Sequence, residues 1–167
     1  MISAERLNSL LHYNASTGEF RWKRRDDRDA AWNAKMAGRI AGTNSRGYIG
    51  IRIDSRRYLA HRLAWVMIRG TIPPGMQIDH IDMNPTNNRI DNLRLATQSQ
   101  NNANSIHKSA SGIKGVTWRE DRGRWIARIT INKRPVRIGC FDTAEEAHLA
   151  YLKRARAEYG NFARGER

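Results

Sequence analysis

Gln77-Ile78-Asp79-His80-Ile81-Asp82, then Asn87-Asn88-Arg89-Ile90-Asp91-Asn92-Leu93-Arg94, then Thr97-Gln98-Ser99-Gln100-Asn101-Asn102 is the stretch on which the reading of this chain turns. Its polar side chains are too many for a core and too specific in type for an ordinary loop. The pattern predicts a short strand ending at His80, an Asn-rich loop, a second strand over Leu93-Arg94-Leu95-Ala96-Thr97, and a helix running through Asn101. An adjacent Asp-His at a strand end sets a hard oxygen ligand for an Mg²⁺-like cation beside a titratable base. A carboxamide some twenty residues later completes a metal site if the chain doubles back. Taken singly, Asn87, Asn88 and Asn92 are equally well read as turn residues bonded to nearby backbone. Arg89 and Arg94 are read either as phosphate contacts or as solvated side chains.

Outward from this stretch, the composition narrows the class. The chain has 167 residues and a formal net charge of +14. That length fits one domain or two small ones. The charge disfavours compactness by self-repulsion unless the partner is a polyanion, which makes nucleic acid the leading partner class. Hydrophobic content of 40%, with five Trp, five Tyr and three Phe, is too apolar for a disordered basic tail. Cys140 is the one cysteine, so neither an internal disulfide nor a cysteine-rich zinc site is available, and a reducing, cytoplasmic setting is expected. No run approaches the ~18 apolar residues of a spanning helix, and Met1 to Leu11 lacks the apolar region of a signal peptide. No membrane partner is expected.

Residues 1–105 and 106–167 each carry +7, so neither half is a neutral body with a basic tail attached. Asn101-Asn102-Ala103-Asn104-Ser105 and Ser109-Ala110-Ser111-Gly112 have no apolar periodicity, which places a linker at 106–112. In the first half, Leu7, Leu10 and Leu11 predict a short amphipathic helix. Residues 23–29 are a charge cluster, read as a solvated loop with phosphate contact as the alternative. Gly47 to Asp54 and Tyr58 to Ala60 predict a hairpin, and Leu59 to Ile68 a helix stopped by Gly70 and Pro73-Pro74. His61, in that helix, is expected to be buried and hydrogen bonded rather than catalytic.

In the second half, strands are predicted over Gly115 to Arg119, Arg124 to Ile131 and Arg134 to Phe141. Thr143-x-x-Glu146 opens a helix that runs to about Glu158, with Gly160 as its stop. Alternation separates Arg124, Ile126, Arg128 and Thr130 from Trp125, Ala127, Ile129 and Ile131, so one sheet face is basic and the other is core. The overall fold class is α+β.

The first stretch resembles the HNH nuclease family in its phage-type branch, through Asp79-His80, Asn92-Leu93 and Asn101, and the likeness extends upstream through Gly47-Tyr48 and Ala60-His61-Arg62-Leu63-Ala64-Trp65. The resemblance implies a ββα-metal finger at about 75–104 within a nuclease domain of residues 1–105. It implies that Asp79 and Asn101 hold one divalent cation, Mg²⁺ before Mn²⁺ or a similar ion, with Asn102 and Asn104 as alternatives to Asn101. It makes His80 the general base and Asn92 the residue that fixes the loop and orients His80. Residues 113–167 resemble the AP2 domain of plant transcription factors and phage nucleases, a three-stranded antiparallel sheet on one helix. This implies contacts to double-stranded DNA from Thr117, Arg119, Arg122, Arg124, Arg128, Thr130 and Arg137. Together the resemblances imply a phage homing-type endonuclease leaving 5′-phosphate and 3′-hydroxyl ends, acting as a monomer or a DNA-bound dimer. The competing reading is a regulator that has lost catalysis and uses both parts only to bind DNA.

Overall fold

The computed structural model describes residues 2–105 and 111–163. Residues 106–110, most of the expected linker, lie outside the described residues. The fold is mixed α and β, and its contacts divide the chain into two compact units, Met1–Leu95 and Ala96–Arg167.

The first unit begins with α1 (Ala4–Leu10), whose Ser3 hydroxyl accepts the Arg6 N–H as an N-cap. Strands β1 (Leu11–Tyr13) and β2 (Phe20–Trp22) pair antiparallel, followed by α2 (Ala30–Met36). Strands β3 (Thr43–Ser45), β4 (Tyr48–Ile53) and β5 (Arg56–Leu59) form an antiparallel sheet in that order. Helix α3 (Ala60–Arg69) buries Ala60, His61, Leu63, Ala64 and Val66, the i, i+3, i+4 spacing of a core-facing stripe. Strand β6 (Gln77–His80) pairs with β7 (Leu93–Ala96). One core joins them: Leu7, Leu10, Leu11, Phe20, Ile51, Ile53, Leu63, Ile78 and Leu93 are all buried in it.

The predicted hairpin, α3 and the strand pair around the Asp-His are present. Helix α2 and strand β3 were not anticipated, and the 23–29 charge cluster is only partly a solvated loop. Arg25 is buried and donates to Asp27 Oδ1 at 2.8 Å. Its guanidinium stands 5.5 Å from the centre of the Trp32 ring. Asn33 of α2 closes the arrangement, accepting the Arg25 N–H and donating to the Arg25 carbonyl, both at 2.8 Å. Arg25 therefore anchors α2, because a buried cation persists only when it is paired and hydrogen bonded.

The second unit contains α4 (Gln98–Asn104), β8 (Val116–Arg119), β9 (Arg124–Ile131), β10 (Arg134–Phe141) and α5 (Ala144–Tyr159). The three strands form one antiparallel sheet with β9 in the centre. Val116, Ala127 and Ile129 meet Ala147, Tyr151, Leu152 and Ala155 of α5 in a second core. The small residues on α5 let it lie close to the sheet. Thr143 caps α5, accepting the Glu146 N–H. Gly115 sits at φ +75°, where a Cβ would come within 2.1 Å of the Tyr151 ring, so this turn admits no side chain.

Candidate active site and nucleic-acid interface

Asp79 and His80 close β6 and are both buried. Burial of two ionisable groups requires partners. Asp79 Oδ2 accepts from Arg94 Nε of β7 at 2.8 Å, which compensates its charge. Arg94 is thus paired with the Asp79 carboxylate rather than merely solvated.

His80 Nε2 lies 3.3 Å from Asn88 Oδ1. The Asn88 amide is oriented by its other end, because Asn88 Nδ2 donates to the Thr86 carbonyl at 3.2 Å. An amide oxygen can only accept, so this contact is a hydrogen bond in the Nε2-protonated tautomer, which it favours. Burial pushes the His80 pKa below the ordinary 6.5, against the Asn88 hydrogen bond and the charges of Asp82 and Asp79, which pull it up. Burial therefore favours the neutral imidazole.

Asn88 is itself held from the other end of the unit. Tyr13 Oη donates to the Asn88 carbonyl at 2.7 Å, and the Ile90 N–H donates to the Ala15 carbonyl at 3.1 Å. Gly18, at φ +78°, approaches so closely that a Cβ there would lie 2.6 Å from the Asn88–Arg89 peptide. The turn at 14–18 thus serves as a floor for the loop that aims Asn88.

Asn92 acts through the loop. Its side chain accepts from the Asp82 N–H at 3.0 Å and donates to Asp82 Oδ1 at 2.8 Å and to the Asn87 carbonyl at 2.9 Å. Asp82 also accepts from Asn87 Nδ2 at 2.6 Å and the Asn84 N–H at 2.8 Å. Burial opposes ionisation of Asp82, but these hydrogen bonds and the nearby His80 outweigh it and lower its pKa. Asn87 and Asn92 are turn residues around this carboxylate; Asn88 is the one that reaches the imidazole.

Three rings gather beside the base. The His61 ring meets His80 edge-on, 4.9 Å between centroids at 83°, and Tyr48 lies 5.6 Å from His61 and 6.3 Å from His80. His61 is buried as expected, but among the described residues its Nδ1 has no hydrogen-bond partner, contrary to expectation. Burial first, and then the His80 and Arg62 charges, push its pKa down to about 3. It is a neutral wall against the His80 imidazole. Neither Tyr48 nor Asn88 was singled out for this role by the sequence: Tyr48 lies 32 residues upstream of His80, and Asn88 was read as one turn asparagine among several.

Asn101, Asn102 and Asn104 lie on α4, in the second unit. Asn102 Oδ1 accepts from Gln98, and Asn104 is buried. Among the described residues no cluster of three or more His, Cys, Asp or Glu is placed to hold a metal. Taken each in its own unit, the Asp79 carboxylate and the carboxamides of α4 are hard oxygen groups, of a kind that suits Mg²⁺ rather than zinc.

In the second unit the register pairs Arg119 with Arg124, Thr117 with Ile126, Arg128 with Arg137 and Thr130 with Pro135. Paired residues share a face, so all six sheet residues expected to contact DNA lie on the face opposite α5. Arg122, the seventh, lies in the turn Glu120–Arg122. Arg119 is paired bidentately with Asp121 at 2.7 and 2.8 Å, Arg122 approaches the same carboxylate at 3.8 Å, and Arg124 meets Asp142 at 2.9 Å. Arg128 and Arg137 have no carboxylate partner among the described residues. Like charges directly opposed across strands repel. A bound polyanion relieves that repulsion. A second opposed pair, Arg52 and Arg57 on β4–β5, was missed by the sequence reading and likewise has no carboxylate among the described residues.

The HNH endonuclease family profile matches residues 58–103, which contain Asp79, His80, Asn88, Asn92 and Asn101. The chain is 37% identical over 107 residues to Protein 3.8 of Escherichia phage T7, an alignment covering 62% of this chain and 87% of that protein. It is 33% identical over 114 residues to HNH endonuclease L560 of Acanthamoeba polyphaga mimivirus, covering 68% of this chain and 59% of that protein. A solved chain of the HNH homing endonuclease I-HmuI aligns with a TM-score of 0.46 at 19% identity, covering 95% of this chain and 82% of that one. No helix among the described residues is long and apolar enough to cross a membrane. With the profile falling on the Asp-His strand pair and a phage protein matched over most of its length, the chain belongs to the HNH endonuclease family.

Proposed function

We propose that this endonuclease hydrolyses DNA phosphodiester bonds with the help of one divalent cation, Mg²⁺ in the first instance, leaving 5′-phosphate and 3′-hydroxyl ends. The observation that carries the reading is the buried His80 beside Asp79 at the end of β6, its Nε2 3.3 Å from Asn88 Oδ1. His80 takes a proton from the attacking water at Nδ1, and Asn88 keeps the ring from presenting the wrong nitrogen. Asp79, fixed by Arg94, and Asn101 are the residues that would hold the cation. When bound, it supplies Lewis-acid stabilisation of charge on the phosphate and the leaving 3′ oxygen. Asn92 and Asp82 hold the loop in the shape that brings Asn88 to His80.

Residues 113–167 serve as an AP2-like module that targets the duplex, joined through 106–112 to a nuclease domain of residues 1–105. Its basic face supports this, with Arg128 and Arg137 as the strongest anion-contact candidates and Arg119, Arg122 and Arg124 available on leaving their carboxylates. The role we assign is that of a phage-encoded homing-type endonuclease in a bacterial cytoplasm; the Escherichia phage T7 relative supports the phage origin.

The deciding experiment is plasmid relaxation and linearisation with and without Mg²⁺, beside His80→Ala and a duplex-binding assay of both proteins. Cutting that requires Mg²⁺ and His80, with binding retained in the variant, is the expected result. Binding without cutting by the wild type under all divalent ions would instead establish the regulator.

A further inference from the structure

Helix α4 is seven residues long, a length at which an isolated helix is unstable in water. Its N-terminal end is closed by its own residues, a capping box in which Gln100 N–H meets Thr97 Oγ1 at 3.2 Å and Thr97 N–H meets Gln100 Oε1 at 2.8 Å. Its last turn contains no basic residue to meet the terminal carbonyls.

That cation comes from another segment. Lys114 Nζ donates to the carbonyls of Ala103 at 2.5 Å, Ser105 at 2.7 Å and Asn102 at 3.2 Å. An ammonium has three donors, and these three acceptors lie at the negative end of the helix dipole. Lys114 is in turn fastened to the sheet and to α5. Its carbonyl lies 3.3 Å from His148 Nδ1, the neighbouring Gly115 carbonyl accepts from Arg128 N–H at 2.8 Å, and Ser111 Oγ donates to the Val116 carbonyl at 2.6 Å. Helix α4 also packs against α5 and the turn at Gly160–Phe162.

We propose that Lys114 is a positioning residue for phosphodiester cleavage: it clamps α4, and with it Asn101, to the C-terminal sheet and helix. The proposal rests on the reading of Asn101 as a cation ligand. It assigns the module a task besides DNA contact.

The test uses the full chain with Lys114→Met, which keeps the apolar stem, and Lys114→Arg, which restores a donor. Amide exchange is followed in the metal-free protein, and cleavage is measured against Mg²⁺ concentration and against DNA concentration. In Lys114→Met, exchange at residues 101–105 should accelerate about fivefold or more, the factor expected for loss of a strong cap. The Mg²⁺ concentration at half-maximal rate should rise by a similar factor, while the KM for DNA stays put. Lys114→Arg should recover part of both. Unchanged exchange, or faster exchange with unchanged Mg²⁺ dependence, overturns the proposal, as does a loss confined to KM for DNA. A wild type that fails to cut would refute the nuclease reading, and exchange in the metal-free protein would still decide whether Lys114 holds the helix.

Discussion

The strand pair β6–β7 and the sheet β8–β9–β10 treat their ionisable side chains in opposite ways. In the first, Asp79 and His80 are buried, and each has a named partner, Arg94 or Asn88. In the second, the charges are arginines set on a solvent-facing surface, with two directly opposed and lacking carboxylates among the described residues. Burial fixes protonation state and geometry, which bond-breaking requires; exposure leaves charge available to neutralise a large anion, which binding requires. Under the proposed function, the division of labour follows from where charge is placed, since residues 1–105 and 106–167 carry the same net charge.

The strongest way to break the comparison is His80→Ala. Single-turnover cleavage should fall about 10³-fold with duplex affinity near wild type, since general-base catalysis contributes on the order of 10²–10⁴. A matching drop in affinity would show that the buried pair also binds. Because burial depresses the His80 pKa, the acid limb of the wild-type cleavage profile should lie below pH 6.5.

Asn88→Ala sharpens it. Losing the Nε2 acceptor leaves the imidazole free to change tautomer and rotate, and cleavage should drop about 10–100-fold, the range for removing a supporting hydrogen bond. An Asn88→Asp variant keeps an acceptor and should retain more activity, as measured in the same single-turnover assay. Equal loss in both would mean the loop itself had collapsed.

On the basic face, Arg128→Ala and Arg137→Ala should each weaken duplex binding and lower the slope of log K against log[salt] by about one if the arginine meets phosphate. Arg119→Ala should cost less, because Asp121 already satisfies that guanidinium. An unchanged slope with altered sequence preference would identify a base reader.

The smallest effect concerns His61. The unfolded chain takes up its proton near pH 6.5 and the folded chain only near pH 3, so stability is lost as pH falls from 6.5 toward 3. His61→Phe should reduce that acid sensitivity. Urea midpoints at pH 7 and pH 4 measure it.

Much of this architecture was legible in the chain. The hairpin at 48–59, α3, the three C-terminal strands and α5 follow from two-residue or helical spacing bounded by Gly, Pro and Thr143. Asp79 and His80 were recognisable because their partners in the motif lie at fixed spacings. What escaped shares a physical cause. Strand β3 is three residues long and α2 is secured by an Arg25–Asn33 bridge, neither of which leaves a periodic trace. Asn88 meets His80 from a loop that Tyr13, Ala15 and Gly18 support from some seventy residues away. Lys114 follows a helix whose sequence ends without a cation, and that deficit was the available signal.

Cys140 stands opposite Ile126 on the arginine face, half-buried, with its Sγ in contact with Arg137 Nη2. As the chain's one thiol, it is a built-in attachment point. A maleimide dye placed there needs no prior cysteine removal and reports on the local environment of Arg137. A duplex seated on that face shields the sulfur, so the alkylation rate becomes a footprint of occupancy that is independent of cleavage.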